Sequence, residues 1–240
     1  MKKQAIYRDL AKYYDLIYSF KDYEKESKKI TNLIAKYGKS GGRSLLEVGC
    51  GTGKHASLLS GKFDVVATDI NDGMLNIACS HFPQLDLRQA DMTNLNLNQK
   101  FDVIISLYSS IAYVKTQSKL RKTLMNFLNH LKPGGITIFE PWFTKANYTV
   151  GIPSIKTYES ETTKIVRACV PKIINGISVM DLNYLIAEKD KEVMHVVDRH
   201  EMGLFEIEDT INLMESLGFK AKYLENGLMT NRGLYLGIKS

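Results

Sequence analysis

The sequence predicts an α/β fold with a mostly parallel sheet, and two observations carry that prediction. Between residues 44 and 140, short apolar runs alternate with segments of helical period, which is typical of strands covered by helices on both faces. A turn with three glycines in five positions follows the first run directly, in the stretch LLEVGCGTG at residues 45–53. Ligands of doubly wound sheets bind at such strand–turn–helix junctions.

The composition is that of an ordinary globular chain. It has 240 residues, 44% of them hydrophobic, which is enough to bury a sizeable core. The net charge is +6 without a long basic tract, so nucleic acid is not expected as a partner. Cys50, Cys79 and Cys169 lie far apart, which favours a reducing compartment and argues against disulfides or a metal site. With no signal peptide and no apolar run of membrane-spanning length, we expect a cytoplasmic protein without membrane contact.

Each element of the α/β part is predicted from its own periodicity. Two helices are expected within residues 1–38, and the segment LKPGG at residues 131–135 is expected to be a turn. The predicted strands span residues 44–48, 63–69, 85–89, 101–107 and 136–140. The predicted helices that alternate with them span residues 54–60, 73–80 and 118–130.

After residue 140 the pattern changes to strand-like alternation. Residues 155–205 alternate without helical period, which predicts an antiparallel sheet inserted before a helix at residues 207–217. Two final strands, at residues 220–225 and 233–239, can pair as a hairpin. We therefore expect one α/β domain made of residues 1–140 and 206–240, and an inserted substrate-binding sheet made of residues 141–205.

The glycine turn alone leaves several ligands open, because dinucleotides, nucleoside triphosphates and methyl donors all use such turns. A triphosphate loop needs Ser or Thr after the Gly-Lys pair, and His55 stands there. The dinucleotide pattern fits Gly49 and Gly51, but Lys54 occupies the position of its third glycine. The turn therefore excludes a triphosphate loop and matches a dinucleotide site only weakly.

Carboxylates at three successive strand ends narrow the choice. Glu47 suits a cationic group and would repel a pyrophosphate, and Asp69, twenty residues after Gly49, suits ribose hydroxyls. Asp91 suits the exocyclic amine of an adenine that the neighbouring Met92 covers. Adenosine joined to a cationic amino acid describes S-adenosylmethionine, which is the predicted cofactor.

Each carboxylate also has a purely structural interpretation. Glu47 could be a charge near a helix N-terminus, and Asp69 and Asp91 could be helix caps. Their occurrence together at successive strand ends favours a ligand site. The predicted cofactor residues are Tyr14, Glu47, Gly49, Gly51, Gly53, Asp69, Ile70, Met74, Asp91, Met92 and Leu107.

These features resemble the class I S-adenosylmethionine-dependent methyltransferases over residues 40–140 and the last two strands. The resemblance implies a Rossmann-like, seven-stranded sheet whose last strand is antiparallel. Further motifs are similar to those of the dTDP-aminosugar N,N-dimethyltransferases of desosamine and mycaminose biosynthesis, nearly from end to end. They are YYDLIY, KDYEKE, EVGCGTG, DMTNL, SLYSSIAYVKT, FEPWF, GLF and NRGLYLGI.

The narrower resemblance implies transfer of a methyl group to the amino group of a nucleotide-linked aminosugar. In agreement, the loop after residue 107 lacks the Asn/Asp-Pro-Pro-Tyr motif that orients planar nitrogens. Tyr14 and Tyr113 would orient the amine as catalytic residues, since a tyrosine with an ordinary pKa of about 10 is a poor base. No histidine is assigned as the proton acceptor. The residues expected to bind substrate are Tyr108, Ser109, Trp142, Phe143, Arg167 and Arg232.

Other interpretations stay open at this point. Arg232, aided by Arg167, would contact the nucleotide phosphates, but Arg167 could also face solvent and Trp142 could fill the seam beside the insert. The acceptor could be another amine or a hydroxyl of a small molecule. RNA methylation and S-adenosylmethionine binding without catalysis are further alternatives. A homodimer is compatible with the sequence.

Overall fold

The computed structural model describes residues 4–240, which form six α-helices and twelve β-strands. The helices are α1 (Ala11–Ile17), α2 (Tyr23–Tyr37), α3 (Lys54–Ser60), α4 (Asp72–His81), α5 (Gln117–His130) and α6 (Ile207–Leu217). The strands are β1 (Ser44–Val48), β2 (Asp64–Asp69), β3 (Asp86–Gln89), β4 (Phe101–Ser106), β5 (Leu131–Phe139), β6 (Ser154–Glu159), β7 (Thr163–Cys169), β8 (Lys172–Ile174), β9 (Ile177–Glu188), β10 (Met194–Gly203), β11 (Phe219–Leu224) and β12 (Leu234–Lys239).

Seven strands form the main sheet, in the order β11-β12-β5-β4-β1-β2-β3. Strands β1 to β5 are parallel to one another, whereas β12 is antiparallel to both β5 and β11. This confirms the predicted seven-stranded sheet with an antiparallel last strand. The strand order reverses beside β1, which has β2 on one side and β4 on the other, and that reversal opens a crevice at the carboxyl ends of these strands.

Both faces of the main sheet are buried, as the uninterrupted apolar runs of its strands predict. In β1, successive side chains point to opposite faces, so Leu46 packs in the core cluster of Phe127 from α5. Leu45 packs in the opposite cluster with Ile30 from α2. Each of these four side chains is fully buried, and such burial stabilises the fold by about 1.5–3 kcal/mol per side chain.

The predicted turn at residues 131–135 is wrong, because these residues belong to β5. Leu131 already pairs with Phe101, and the next pair is Ile136 with Val103, so the register shifts between them. The extra residues form a bulge, in which Gly134 takes the left-handed conformation at φ 72°. Proline and glycines therefore mark an irregular part of the strand here, and not a turn that precedes it.

The remaining strands form a separate antiparallel sheet, in the order β10-β9-β7-β6, with β8 paired to β9. Its inner face carries Leu182 and Tyr184, which pack in one cluster with Ile6 and Tyr13 from the amino-terminal segment. The insert thus covers the beginning of the chain, beside the crevice of the main sheet. Of the helices within residues 4–240, none is long and apolar enough to cross a membrane.

Candidate active site

A cavity opens at the carboxyl ends of β1, β2 and β4, where the strand order reverses. Its walls come from the glycine turn, from the ends of the neighbouring strands, from the loop after β4 and from the amino-terminal segment. Among the predicted cofactor residues, those that line it are Tyr14, Glu47, Gly49, Gly51, Asp69, Ile70, Met74, Asp91, Met92 and Leu107. Across residues 4–240, no group of three or more His, Cys, Asp or Glu side chains is placed to hold a metal ion.

The glycine turn brings backbone to the floor of the cavity. Gly49 and Gly51 have φ values of 77° and 56°, in the left-handed region that disfavours other residues. The amide groups of Gly49 and Cys50 both donate to the carbonyl of Thr68, at 2.7 and 2.9 Å. A Cβ atom at Gly49 would lie 2.7 Å from the Cβ atom of Ser110, so no side chain fits there.

Gly53 lies outside this cavity, contrary to its predicted place among the cofactor residues. It precedes α3 with φ 78°, and its neighbours are side chains of the adjoining core. A Cβ atom at this position would lie 3.1 Å from that of Ala78 in α4 and 3.5 Å from Leu85. The glycine is therefore explained by backbone conformation and helix packing.

Glu47 has the chemistry of a cation site. It is 2% exposed, and its Oε2 atom has no hydrogen-bond partner among residues 4–240. Burial raises the pKa of the Glu47 carboxyl to about 8, even though the nearby Lys21 acts to lower it. The nearest histidine nitrogen, Nδ1 of His55, is 3.9 Å from Oε1. A ligand with an ammonium group would supply the partner that this oxygen lacks.

Asp69 links the end of β2 to the glycine turn. Its Oδ2 atom accepts a hydrogen bond from the amide of Gly51 at 2.9 Å, and Oδ1 accepts one from the amide of Asn71 at 2.8 Å. Asn71 precedes α4, so Asp69 is not the cap of that helix. Burial raises the pKa of the Asp69 carboxyl, while these amide hydrogen bonds lower it. The side-chain amide of Asn71 also donates to Oδ1, at 3.2 Å, so the lone pair that remains for a further donor is on Oδ2.

Asp91 does act as a cap, as its structural interpretation predicts. Its Oδ1 atom accepts hydrogen bonds from the amide and the hydroxyl of Thr93, both at 2.8 Å, at the start of the short 3-10 helix Met92–Asn94. Asp91 is exposed and also lines the cavity. Capping uses one oxygen, so the second oxygen of the carboxylate is still an acceptor for a ligand.

The loop after β4 carries two strained residues. Tyr108 and Ser109 have φ values of 53° and 61°, and such left-handed positions cost about 1–3 kcal/mol each for residues other than glycine. Ser109 is completely buried. It donates to the carbonyl of Pro141 at 2.6 Å and accepts from Nη1 of Arg232, also at 2.6 Å. Tyr108 lines the cavity.

Arg232 packs against the aromatic rings among the predicted substrate residues. Its guanidinium carbon lies 4.9, 5.5 and 5.7 Å from the ring centroids of Trp142, Phe143 and Tyr108. The side chain is buried, and its Nε atom has no partner among the described residues. Trp142 also donates to Ser178 of the insert at 3.1 Å, so it fills the seam between the sheets as well.

Two further cations approach the same aromatic group. Nη1 of Arg167 donates to the hydroxyl of Tyr18 at 2.8 Å, so Arg167 does not simply face solvent. Nζ of Lys21 lies 3.6 Å from the Tyr108 ring centroid, and burial lowers the pKa of its amine. We call Lys21, Arg167 and Arg232 the cation cluster. Lys21 lines the cavity but is absent from the predicted site residues, although the motif KDYEKE begins with it.

The predicted catalytic tyrosines both line the cavity. Burial raises the pKa of the Tyr14 and Tyr113 hydroxyls, so both stay protonated. The Tyr113 hydroxyl lies 2.8 Å from that of Tyr7 and 2.5 Å from Nδ1 of His200. Neither Tyr7 nor His200 is among the predicted site residues. Both contact Tyr113 from far away in the chain, so no local sequence signal places them at the site.

Comparison with known proteins gives consistent matches. Residues 45–135 match the model of a methyltransferase domain family. The chain is 30% identical to the dTDP-3-amino-3,4,6-trideoxy-alpha-D-glucopyranose N,N-dimethyltransferase of Streptomyces venezuelae, over 96% of this chain and 98% of that one. It is 28% identical to the dTDP-3-amino-3,6-dideoxy-alpha-D-glucopyranose N,N-dimethyltransferase of Streptomyces fradiae, over 96% and 91%. The crystal structure of Streptomyces venezuelae DesVI superposes with a TM-score of 0.90 at 30% identity, covering 96% of this chain and 98% of that one.

The packing of Gly53 gives a first prediction. Gly53→Ala should lower the free energy of unfolding by about 1–3 kcal/mol, because alanine must adopt φ 78° next to Ala78. The affinity for S-adenosylmethionine of the folded variant should change less than about tenfold, or 1.4 kcal/mol. Chemical denaturation and calorimetry measure the two quantities.

The matched control is Gly61→Ala, at the other end of α3. Gly61 has a helical conformation, and the nearest atom to an added Cβ is 4.0 Å away. This variant should keep or slightly raise the free energy of unfolding. If Gly53→Ala abolished cofactor binding without loss of stability, the assignment of Gly53 to packing would be wrong.

Proposed function

The chain belongs to the S-adenosylmethionine-dependent methyltransferases that include these two N,N-dimethyltransferases, and we propose that it methylates the amino group of a nucleotide-linked, dTDP-type aminosugar. One observation carries the proposal. The cavity holds the Glu47 carboxyl, whose Oε2 atom has no partner among residues 4–240, and it meets the cation cluster at Tyr108, whose ring centroid lies 5.7 Å from the Arg232 guanidinium carbon. A cationic cofactor and a phosphate-bearing acceptor would therefore meet at one aromatic side chain.

The two sheets have different binding roles in the proposed function. Residues 1–140 and 206–240 bind the cofactor, and the inserted residues 141–205 complete the acceptor site. Support comes from Trp142 and Arg167, which reach from the insert to the aromatic group around Tyr108. The homodimer and the cytoplasmic location expected from the sequence stay predictions.

The chemistry of the residues that line the cavity supports the binding of S-adenosylmethionine there. Glu47 would accept the ammonium group, Asp69 the ribose hydroxyls, and Asp91 with Met92 the adenine. The apolar residues Ile70, Met74 and Leu107 would contact its uncharged surfaces. When bound, the cofactor supplies a methyl group on a sulfonium, which is already a good leaving group.

The main task of the protein is therefore to position the acceptor. Holding two reactants in line can lower the barrier by about 7–11 kcal/mol. Tyr14 and Tyr113 remain neutral hydroxyls because burial raises their pKa. As neutral groups they can accept hydrogen bonds from an amine and orient its lone pair. Their rings also favour nearby cationic groups, since an aromatic face attracts positive charge.

The cation cluster would bind the diphosphate of the acceptor. Arginine forms bidentate hydrogen bonds with phosphate oxygens, and Arg232 has a buried Nε donor without a partner among residues 4–240. The Lys21 amine contacts the carboxylate of Glu26 at 3.3 Å. That pairing keeps Lys21 beside Tyr108 when no phosphate is bound.

Methyl transfer to dTDP-aminosugars tests the proposal directly. Radiolabelled S-adenosylmethionine should methylate a dTDP-aminosugar, whereas simple amines and RNA should react far more slowly. Arg232→Gln should raise the KM for the nucleotide sugar by about 10–100-fold, because a hydrogen bond to a charged group is lost. The KM for the cofactor should stay within about twofold, or 0.4 kcal/mol.

The matched control is Arg121→Gln. Arg121 also donates to a serine hydroxyl, that of Ser216 at 3.3 Å, but its side chain lies on the exposed face of α5. This variant should leave both KM values unchanged. Preferential methylation of simple amines or of RNA would refute the aminosugar assignment. Equal rises of both KM values in Arg232→Gln would refute the phosphate contact.

The raised pKa of Glu47 predicts proton release on cofactor binding. The carboxyl has a pKa of about 8, so in the empty cavity it is mostly neutral at about pH 7. An ammonium group binds the carboxylate form only. Binding of S-adenosylmethionine should therefore release close to one proton at about pH 7, and the affinity should fall up to about tenfold per unit as the pH falls further.

Calorimetry in buffers with different ionisation enthalpies measures this proton. Glu47→Gln should bind more weakly, without proton release and with a flat pH profile. Glu24→Gln is the control, because Glu24 is an exposed carboxyl in the first turn of α2. It should release the same proton as the unaltered protein. Cofactor binding by the unaltered protein without proton release would contradict the assigned role of Glu47.

A further inference from the structure

A continuous chain of hydrogen bonds leads from the cavity into the inserted sheet. The Tyr7 hydroxyl lies 2.8 Å from the Tyr113 hydroxyl, which lies 2.5 Å from Nδ1 of His200. Nε2 of His200 lies 3.1 Å from Oδ2 of Asp198. Tyr7 and Tyr113 line the cavity, whereas His200 and Asp198 are buried behind them. We call these four residues the relay chain.

The donors and acceptors of the relay chain fix its direction. The Asp198 carboxylate only accepts, so in its neutral form the imidazole of His200 must carry its proton on Nε2 and accept at Nδ1. Tyr113 must then donate its only hydroxyl proton to Nδ1. Its oxygen accepts from Tyr7, and one lone pair remains available to a donor in the cavity.

Asp198 is held as an anion. Its Oδ1 atom accepts from the amide of Ala5 at 2.9 Å, and Oδ2 accepts from the amide of Ile6 at 3.0 Å. Burial acts to raise the pKa of the Asp198 carboxyl, but the hydrogen bond from His200 and these amides hold it below its ordinary value. The carboxylate can therefore stabilise a positive charge on the adjacent imidazole.

Such a group can take up a proton that the reaction must remove. An amine on a sugar is largely an ammonium ion near neutral pH, and an ammonium has no lone pair with which to attack a methyl group. One proton must leave the nitrogen for every methyl group transferred. The raised pKa of Tyr113 prevents this hydroxyl from keeping a negative charge, so it can only pass a proton onward.

We propose that His200 takes up this proton through Tyr113. The inference rests on the proposed function. A nitrogen–hydrogen bond of the ammonium breaks as the Tyr113 oxygen gains that proton, and the original hydroxyl proton moves to Nδ1 of His200. The nitrogen keeps the electron pair and becomes the neutral nucleophile. The positive charge moves to the imidazole ring, where Asp198 stabilises it. No oxidant, reductant or further reactant takes part.

In this assignment Tyr113 is a catalytic residue and His200 is a positioning residue that acts through it. The groups that face His200 from its neighbours are few. Tyr7 comes from the amino-terminal turn and Tyr113 from the loop after β4, with ring centroids 5.6 and 6.0 Å from the imidazole, and Asp198 comes from β10 itself. On the neighbouring strand β9, the residue paired with His200 is Met180, which does not titrate. Asp69 acts on the relay chain electrostatically, through Tyr113.

Single-turnover rates as a function of pH test the inference. His200→Gln and Tyr113→Phe should each slow methylation of a dTDP-aminosugar by about 100-fold near pH 7. This is the rate enhancement that a positioned proton acceptor typically provides. The loss should shrink to less than about tenfold above pH 9, because solvent then removes the proton from the ammonium. A merely structural loss would not be recovered at high pH.

The matched control is His195→Gln. His195 lies on the same strand but is exposed and contacts Asn183 at 3.2 Å, so its variant should keep the rate and the pH profile. Nitrogen NMR of the imidazoles gives a readout that does not depend on turnover. In the unaltered protein His200 should carry its proton on Nε2, and Tyr113→Phe should shift this tautomer balance because Nδ1 loses its donor.

The outcomes separate the inference from the proposed function. If the unaltered protein methylates no dTDP-aminosugar, the proposed function fails. If it methylates one and a folded His200→Gln protein keeps the full rate and pH profile, the relay alone is overturned. Should His200→Gln fail to fold, Tyr113→Phe decides the matter. A normal pH profile in that variant, or an unchanged His200 tautomer, overturns the relay.

Discussion

Two ionisable groups, Glu47 at the end of β1 and Arg232 beside the loop after β4, are buried with too few hydrogen-bond partners. This constraint determines which ligands the site can bind. Glu47 keeps one oxygen atom, and Arg232 one nitrogen atom, without a hydrogen bond among residues 4–240. Taking an ionised group out of water costs several kcal/mol unless it is paired, and for this reason the Glu47 carboxyl has a pKa of about 8 and keeps its proton until a cation binds. A ligand that is cationic at one end, with an anionic acceptor beside it, supplies both partners. The groups that weaken the empty protein are therefore those that make it bind.

The amino-terminal segment joins the two sheets around these charges. In α1, Asp15 accepts from the hydroxyl of Thr52 at 2.9 Å and pairs with Lys54 at 3.2 Å, which ties the helix to the glycine turn. The preceding residues donate their amides to Asp198 of the insert. The same segment supplies Tyr7 and Tyr14 to the cavity. One segment of chain therefore both joins the two sheets and contributes two tyrosine hydroxyls to the cavity wall.

The sequence predicted most of the fold because its signals are local. The bounds of β1 and α3 follow from an apolar run and a helical period, and the structure has the same bounds. The bulge in β5 escaped prediction, since glycine and proline mark bulges and turns alike. Gly53 does not line the cavity, and the sequence could not indicate this because a positive φ at a helix start serves packing as well as ligands. The bond between Tyr113 and His200 joins residues 87 positions apart, and only the fold of the insert creates it.

The strained loop after β4 shows how the two halves of the site are connected. Glycine at positions 108 and 109 would relieve the left-handed strain, but it would remove both side chains that define the junction. Ser109 offsets part of the cost with two hydrogen bonds, one of which fixes Arg232. The resulting backbone places the Tyr108 ring between Lys21 and Arg232, at 3.6 and 5.7 Å from their charged groups. Strain at this point is therefore the cost of a single aromatic side chain that borders both the cavity and the cation cluster.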